Sequence, residues 1–197
     1  MAPKVGAPRR DRKTEIVDAA ARLFAAKGYH ATSIQDLVDA TGLQRGALYY
    51  HIETKKDLLF EIHRRFIDPL LEESRRIDAE NLSAEATLRA LAHSLMRDIE
   101  RYRDEVTVFL HEWSTIRDDP EWQAVRESRR EFESLIERVL RRGIADGSFA
   151  LPDVQLAKLA FLGMLNYTYQ WFAIGGRSTP DEIADCFTTI FLHGISR

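Results

Sequence analysis

Between Thr32 and Leu59 the chain reads TSIQDLVDATGLQRGALYYHIETKKDLL, and its caps and breakers leave room for two short helices joined by a turn of about four residues. The stretch TSIQ has the spacing of a capping box, with Thr32 as the cap. Ile34, Leu37 and Val38 then recur at helical spacing until Gly42 stops the run. A very short helix over about residues 44–51 follows at once, and Leu48 and Ile52 on its inner side are expected to pack into a small bundle. The third member of that bundle is the segment before it, residues 10–27, with Ile16, Ala20, Leu23 and Phe24 on one face. It ends at Gly28, where Tyr29 is placed to fold back as in a Schellman ending.

The same helical grammar runs through the rest of the chain, and no strand pattern competes with it. Thr54 caps a long fourth helix carrying Leu58, Leu59, Ile62, Phe66 and Leu70 inward, which Pro69 is expected to kink by removing one backbone donor. Helices follow over about residues 84–101 and 104–116, and Asp119 and Pro120 open a long one with Trp122, Val125, Phe132, Ile136, Val139 and Leu140 at helical spacing. Two more cover about residues 152–173 and the segment after TPDE. The expected fold is therefore all-α with about nine helices. An N-terminal arm and three-helix unit, residues 1–53, precedes a connector helix and helical body, residues 54–197, and the first dozen residues are expected to form a mobile arm.

The last two helices are apolar on more sides than one core requires. Pairing them with a second copy would make a four-helix interface, with Phe161, Leu165, Phe187, Ile190 and Phe191 as its candidate residues. The plainer alternative is that both helices close the protomer's own core.

Composition narrows the function. The single cysteine, Cys186, excludes an internal disulfide and fits a reducing compartment. The most apolar run, residues 156–176, is interrupted by Lys158, Asn166 and Gln170, so a cytoplasmic protein without membrane attachment is expected. Residues 1–57 hold ten Lys/Arg against seven Asp/Glu, whereas the whole chain has a net charge of −3, so a basic first third sits on an acidic body. That asymmetry suits an anionic polymer on one face. Enzymatic signatures are missing: HEWST, from His111, has Thr115 where a zinc-binding helix needs its second histidine. There is no phosphate-binding loop, nucleophile elbow or dinucleotide glycine pattern. No metal or cofactor is expected, and the protein is not expected to be an enzyme.

A helix-turn-helix explains the chemistry of the opening stretch, because its second helix enters the major groove. Arg45 can bond guanine O6 and N7 in bidentate fashion, Gln44 can read adenine, and the Ala47 methyl can meet a thymine methyl. Tyr49 and Tyr50 supply hydroxyl donors for phosphates, His51 and Lys55 extend the row, and Thr32 or Ser33 lies at a helix N-terminus aimed at the backbone. Gly46 leaves room for close approach.

This stretch, with AARLFAAKGYHATS before it, resembles the DNA-binding signature of the TetR (tetracycline repressor) family over about residues 12–60. One departure is Ile52, where the family usually has phenylalanine. The resemblance implies a homodimeric one-component regulator that binds duplex operator DNA and takes a small molecule in its C-terminal body. It also implies that Thr32, Gln44, Arg45, Gly46, Tyr49, Tyr50, His51 and Lys55 match positions that touch DNA. A helical adaptor binding a protein or an anionic membrane surface is the alternative from another class.

For the effector, the pattern offers Met96, Phe109, Trp113, Met164, Tyr167 and Trp171, with His93, Asn166 and Gln170 as polar contacts. The same residues would equally serve as plain core. LGMLNYTYQWFAIGGRSTPDEIADCF, with HEW upstream, is similar to the bodies of TetR-type regulators of fatty-acid and sterol breakdown, several of which respond to acyl-CoA thioesters. That likeness implies a hydrophobic effector such as an acyl-CoA, with Arg97, Arg101 or Arg103 near its anionic head. A multidrug-type sensor is the alternative within the family.

Overall fold

The computed structural model describes residues 11–150 and 152–195, so the expected N-terminal arm lies largely outside the described residues. Among them no strand element forms. The α-helices are α1 (Arg12–Lys27), α2 (Ile34–Thr41), α3 (Arg45–His51), α4 (Lys55–Ala79), α5 (Ala84–Arg101), α6 (Arg103–His111), α7 (Trp113–Ile116), α8 (Gln123–Ala145), α9 (Val154–Asn166), α10 (Thr168–Trp171) and α11 (Pro180–Ile195). A 3-10 turn, Pro120–Trp122, precedes α8.

The two helices beyond the expected nine come from two breaks. The segment expected to run over residues 104–116 divides at Glu112, and that expected over 152–173 divides at Tyr167. Gly28 corrects a smaller expectation. Its φ of 88° with ψ of 152° is outside the left-handed helical region that a Schellman ending needs. Tyr29 nevertheless folds back, with its ring edge-on to Phe24 at 5.2 Å.

A single hydrophobic core runs from Ile16 in α1 to Leu192 in α11. The long α4 is its spine and continues through Pro69, packing on α8, α5 and α6, while α1 rests on α2 and α6. α11 closes the far side against α5 and α9. No helix among the described residues is long and apolar enough to cross a membrane.

One glycine in this core is needed for its lack of a side chain. Beyond α8 the chain turns back through Gly147, and the buried Phe149 ring lies directly on Gly143, whose carbonyl accepts from the Phe149 N–H at 2.8 Å. A Cβ on residue 143 would run into that ring. Gly143→Ala is expected to destabilise the fold by about 1–3 kcal/mol, the usual scale of overpacking. An unchanged urea midpoint would show that the ring can move aside.

Candidate DNA-binding surface and effector cavity

The chain turns from α2 toward α3 at Gly42, which has left-handed backbone (φ 66°, ψ 14°) and caps α2 through its N–H to the Val38 carbonyl. Leu48 and Ile52 face the core as expected. The other side of α3 presents Gln44, Arg45, Gly46, Ala47, Tyr49 and Tyr50 to solvent, with Tyr50 the most open at 86 % exposure. His51 is half-buried, its ring edge-on to Tyr50. Space around Gly46 is free, with nothing within 4 Å of where a Cβ would stand. Two planar polar groups, two phenols and a bare stretch of backbone thus share one exposed face.

Two expected phosphate contacts are engaged elsewhere. Ser33, not Thr32, caps α2: its hydroxyl oxygen accepts from the Asp36 N–H, and the Asp36 carboxylate accepts from the Ser33 N–H and hydroxyl. The Lys27 ammonium and Ser33 together hold the Asp36 carboxyl well below the usual range. Thr32 is 1 % exposed and its hydroxyl donates to the Gly28 carbonyl at 2.8 Å. Lys55 turns inward, donating to the Tyr29 and Thr32 carbonyls at 2.8 Å each, with its ammonium 4.3 Å from the Tyr29 ring centre. Burial lowers its pKa below the usual lysine range. Thr32 and Lys55 therefore brace the link between α1 and α2, because their polar atoms are committed to its carbonyls.

The body grips that same link. Glu112, at the break between α6 and α7, is almost fully buried and accepts from the Tyr29 N–H at 3.1 Å and from the Thr115 hydroxyl at 3.1 Å. A carboxylate in so little water needs such donors. Within the connector and body, Lys56 at the start of α4 pairs with Asp119 at 2.6 Å and with Glu121, before α8.

The residues expected to hold an effector do not form one site. A small cavity of about 20 Å³ lies between α4, α5, α6, α8 and α9, lined by Phe66, Phe109, Phe132, Leu162, Arg129 and Asn166 among others. Only Phe109 and Asn166 of the expected set border it. Trp113 is next to it, stacked on the Arg129 guanidinium at 4.0 Å. Met96 is fully buried, its sulfur accepting from the Thr168 hydroxyl, and Met164 is half-buried against the core. Tyr167 and Trp171 are exposed, and Gln170 is spent on the Tyr169 hydroxyl. His93 bridges α5 to α11 through Asp181 and Asp185 at 2.8 and 2.9 Å. It borders a surface groove of about 530 Å³ with Arg97 and Arg101, and Arg97 is itself paired with Asp181. Arg103 is half-buried at the start of α6.

Arg129 was legible only as an anomaly. It is four residues after Val125 and three before Phe132, so it interrupts the apolar stripe of α8.

The apolar surface of the last helices also differs from expectation. Phe161, Leu165 and Phe191 turn into the protomer's own core and cannot face a partner. Phe187 is half-buried beside Trp171, and Ile190 is exposed as expected. The exposed stripe is instead Leu156, Leu159 and Tyr167 on α9 and α10's approach, with Ile190 on α11.

Comparison with known proteins bears on both surfaces. The profile of bacterial regulatory proteins of the tetR family matches residues 16–62, and that of the tetracyclin repressor-like C-terminal domain matches residues 81–195. The HTH-type transcriptional repressor KstR2 of Rhodococcus jostii is 34 % identical over 186 residues, covering 94 % of this chain and 91 % of that protein. The structure of the ketosteroid transcriptional regulator KstR2 of Mycobacterium tuberculosis superposes with a TM-score of 0.90 at 25 % identity, over 98 % of this chain and all of that one. AibR in complex with isovaleryl coenzyme A and operator DNA superposes with a TM-score of 0.81 at 27 % identity, over 91 % of this chain and 97 % of that one.

Proposed function

The chain belongs to the TetR family and is a transcriptional regulator, not an enzyme, and from that premise we propose a cytoplasmic repressor that binds a palindromic operator as a homodimer and releases it on taking up an acyl-CoA thioester. The observation that carries the DNA-binding part is the exposed row Gln44, Arg45, Gly46, Ala47, Tyr49 and Tyr50 on α3, behind a left-handed Gly42. In this reading Arg45 and Gln44 meet base edges, while Tyr49, Tyr50 and His51 meet phosphates; Ser33, whose N–H and hydroxyl both donate to Asp36, caps α2 instead. Thr32 and Lys55 contribute by keeping the link before α2 in place. Residues 1–53 form the reading unit and residues 54–197 the connector and body.

A two-fold dimer suits a palindrome because it sets two copies of α3 into successive major grooves, about 34–36 Å apart. The exposed stripe of Leu156, Leu159, Tyr167 and Ile190 is the surface we assign to the second copy. Support for the effector class comes from relatives: one similar protein is a ketosteroid transcriptional regulator, and another, AibR, forms a complex with isovaleryl coenzyme A and operator DNA. The thioester's apolar part would enter the body and displace α6 and α7, which the Glu112 contact ties to the DNA-binding unit.

Arg45→Ala is the direct test. It should weaken operator binding by about 1–3 kcal/mol and relax the choice of base at one position in each half-site. A fluorescence titration in which the variant keeps full affinity for the operator would remove α3 from the recognition surface. A protein that binds anionic vesicles in preference to duplex DNA would favour the adaptor reading instead.

A further inference from the structure

We propose that Arg129 is the effector's anchor: its guanidinium takes an acceptor oxygen, thioester carbonyl or carboxylate, from a ligand whose apolar part opens the cavity between α4, α5, α6, α8 and α9. The inference rests on the effector reading above and names the group that reads the ligand's polar end.

Three observations converge on this side chain. Its Nη1 is buried and has no acceptor among the described residues. A charged donor in that state is costly, and an acceptor oxygen from a ligand would satisfy it. Its Nε is already fixed, donating to Glu133 at 3.0 Å, and its plane is stacked on Trp113 at 4.0 Å and against Phe109 at 5.4 Å. The fork is thus held in one orientation before any ligand arrives, the condition under which a planar guanidinium selects an oxygen acceptor. Finally, most of the cavity wall around it is aromatic and aliphatic, from Phe66, Phe109, Phe132 and Leu162 among others, and its polar groups are Asn166 and the Glu133 carboxylate already paired with Arg129 Nε. An apolar ligand carrying one polar end matches that division.

At about 20 Å³ the cavity holds no more than a water molecule. Ligand entry must therefore part the aromatic wall, and the Arg129–Trp113 stack is in its path. Trp113 directly follows Glu112, whose carboxylate holds the Tyr29 N–H. Movement of the stack consequently reaches the DNA-binding unit through one covalent neighbour and one hydrogen bond. It also makes Trp113 an optical reporter of binding.

The test uses octanoyl-CoA, octanoate and octylamine, which share a chain and differ in the polar end. Release of labelled operator and quenching of tryptophan fluorescence are followed for the parent, Arg129→Met and Trp113→Phe. The parent should respond to octanoyl-CoA or octanoate but not to octylamine, and Arg129→Met should bind operator normally yet need at least about tenfold more ligand, the share of affinity expected of a charge-assisted hydrogen bond. Trp113→Phe should lose most of the optical change. The arm that responds distinguishes thioester from free acid. Equal responses from parent and Arg129→Met would overturn the anchor and leave the effector reading standing, whereas an equal response to octylamine would overturn both. A parent that binds operator but responds to no probe in either readout would overturn both. A ligand response lost in Arg129→Met, without operator binding by the parent, would support the anchor and count against the DNA reading. Should Arg129→Met fail to fold by circular dichroism, Arg129→Lys, which keeps the charge but not the fork, should show the same loss of response, and full response in it would overturn the anchor.

Discussion

Leu159→Glu and Ile190→Glu are each expected to leave a folded chain that no longer pairs and scarcely binds its operator. Both side chains are open in the protomer, Leu159 at 61 % and Ile190 at 57 % exposure, so a carboxylate there is solvated in the monomer. In a dimer the same carboxylate would be buried without a partner, at a cost of several kcal/mol per ion and twice over by symmetry. Operator binding should fall with it, because two linked α3 helices gain about 10²–10⁴ in affinity over one. Sedimentation and operator titration of the same samples would connect the two effects. A variant that remains a dimer would mean that the second copy uses another surface.

His63 should give the protein an acid-sensitive stability. Its ring is fully buried on α4, with Nδ1 2.8 Å from the Leu59 carbonyl and its faces near Phe109 and Trp122. Burial, the dominant cause, lowers its pKa from 6.5 to about 4, while the Leu59 contact and Glu112 oppose the shift. The unfolded chain therefore takes up a proton near pH 6.5 that the folded chain refuses until about pH 4. Stability from this group is complete above the unfolded value and is lost as pH falls through that window, by about 3 kcal/mol in all. Asp98 works in the other direction, since burial raises its pKa to about 6 and its protonation favours the fold as pH drops. His63→Leu keeps Asp98 and removes only the histidine's share. Urea unfolding at about pH 7.5 and about pH 4 should show the smaller acid loss in the variant; the same loss in both proteins would exclude His63 as the cause.

The parts of the fold that could be read from the sequence are those where local signals agree. Capping residues and apolar spacing define α4 and α5 closely, because Thr54 and Ser83 cap their starts and one face of each is apolar. The breaks at Glu112 and Tyr167 have no such local mark. Glu112 leaves the helix to reach a main-chain donor 83 residues away, a demand visible only in three dimensions. The inward faces of α9 and α11 are not legible for a related reason: on a helix apolar nearly all round, periodicity does not say which side is inward. Phe161, Leu165 and Phe191 therefore looked as available to a partner as Leu159 and Ile190. In the DNA-binding unit, residue types marked the exposed row on α3 correctly. They could not show that Lys55 spends its ammonium on two carbonyls of its own chain.

The Glu112 contact has a bearing on how such a regulator changes over generations. What the body grasps in the DNA-binding unit is a backbone N–H, at Tyr29, and every residue except proline supplies one. Substitutions that retune the reading helix for a new site leave that handhold intact. If a signal passes through this contact as proposed, sequence preference and response could change separately, and a recognition unit transplanted from a relative should keep a main-chain donor for Glu112.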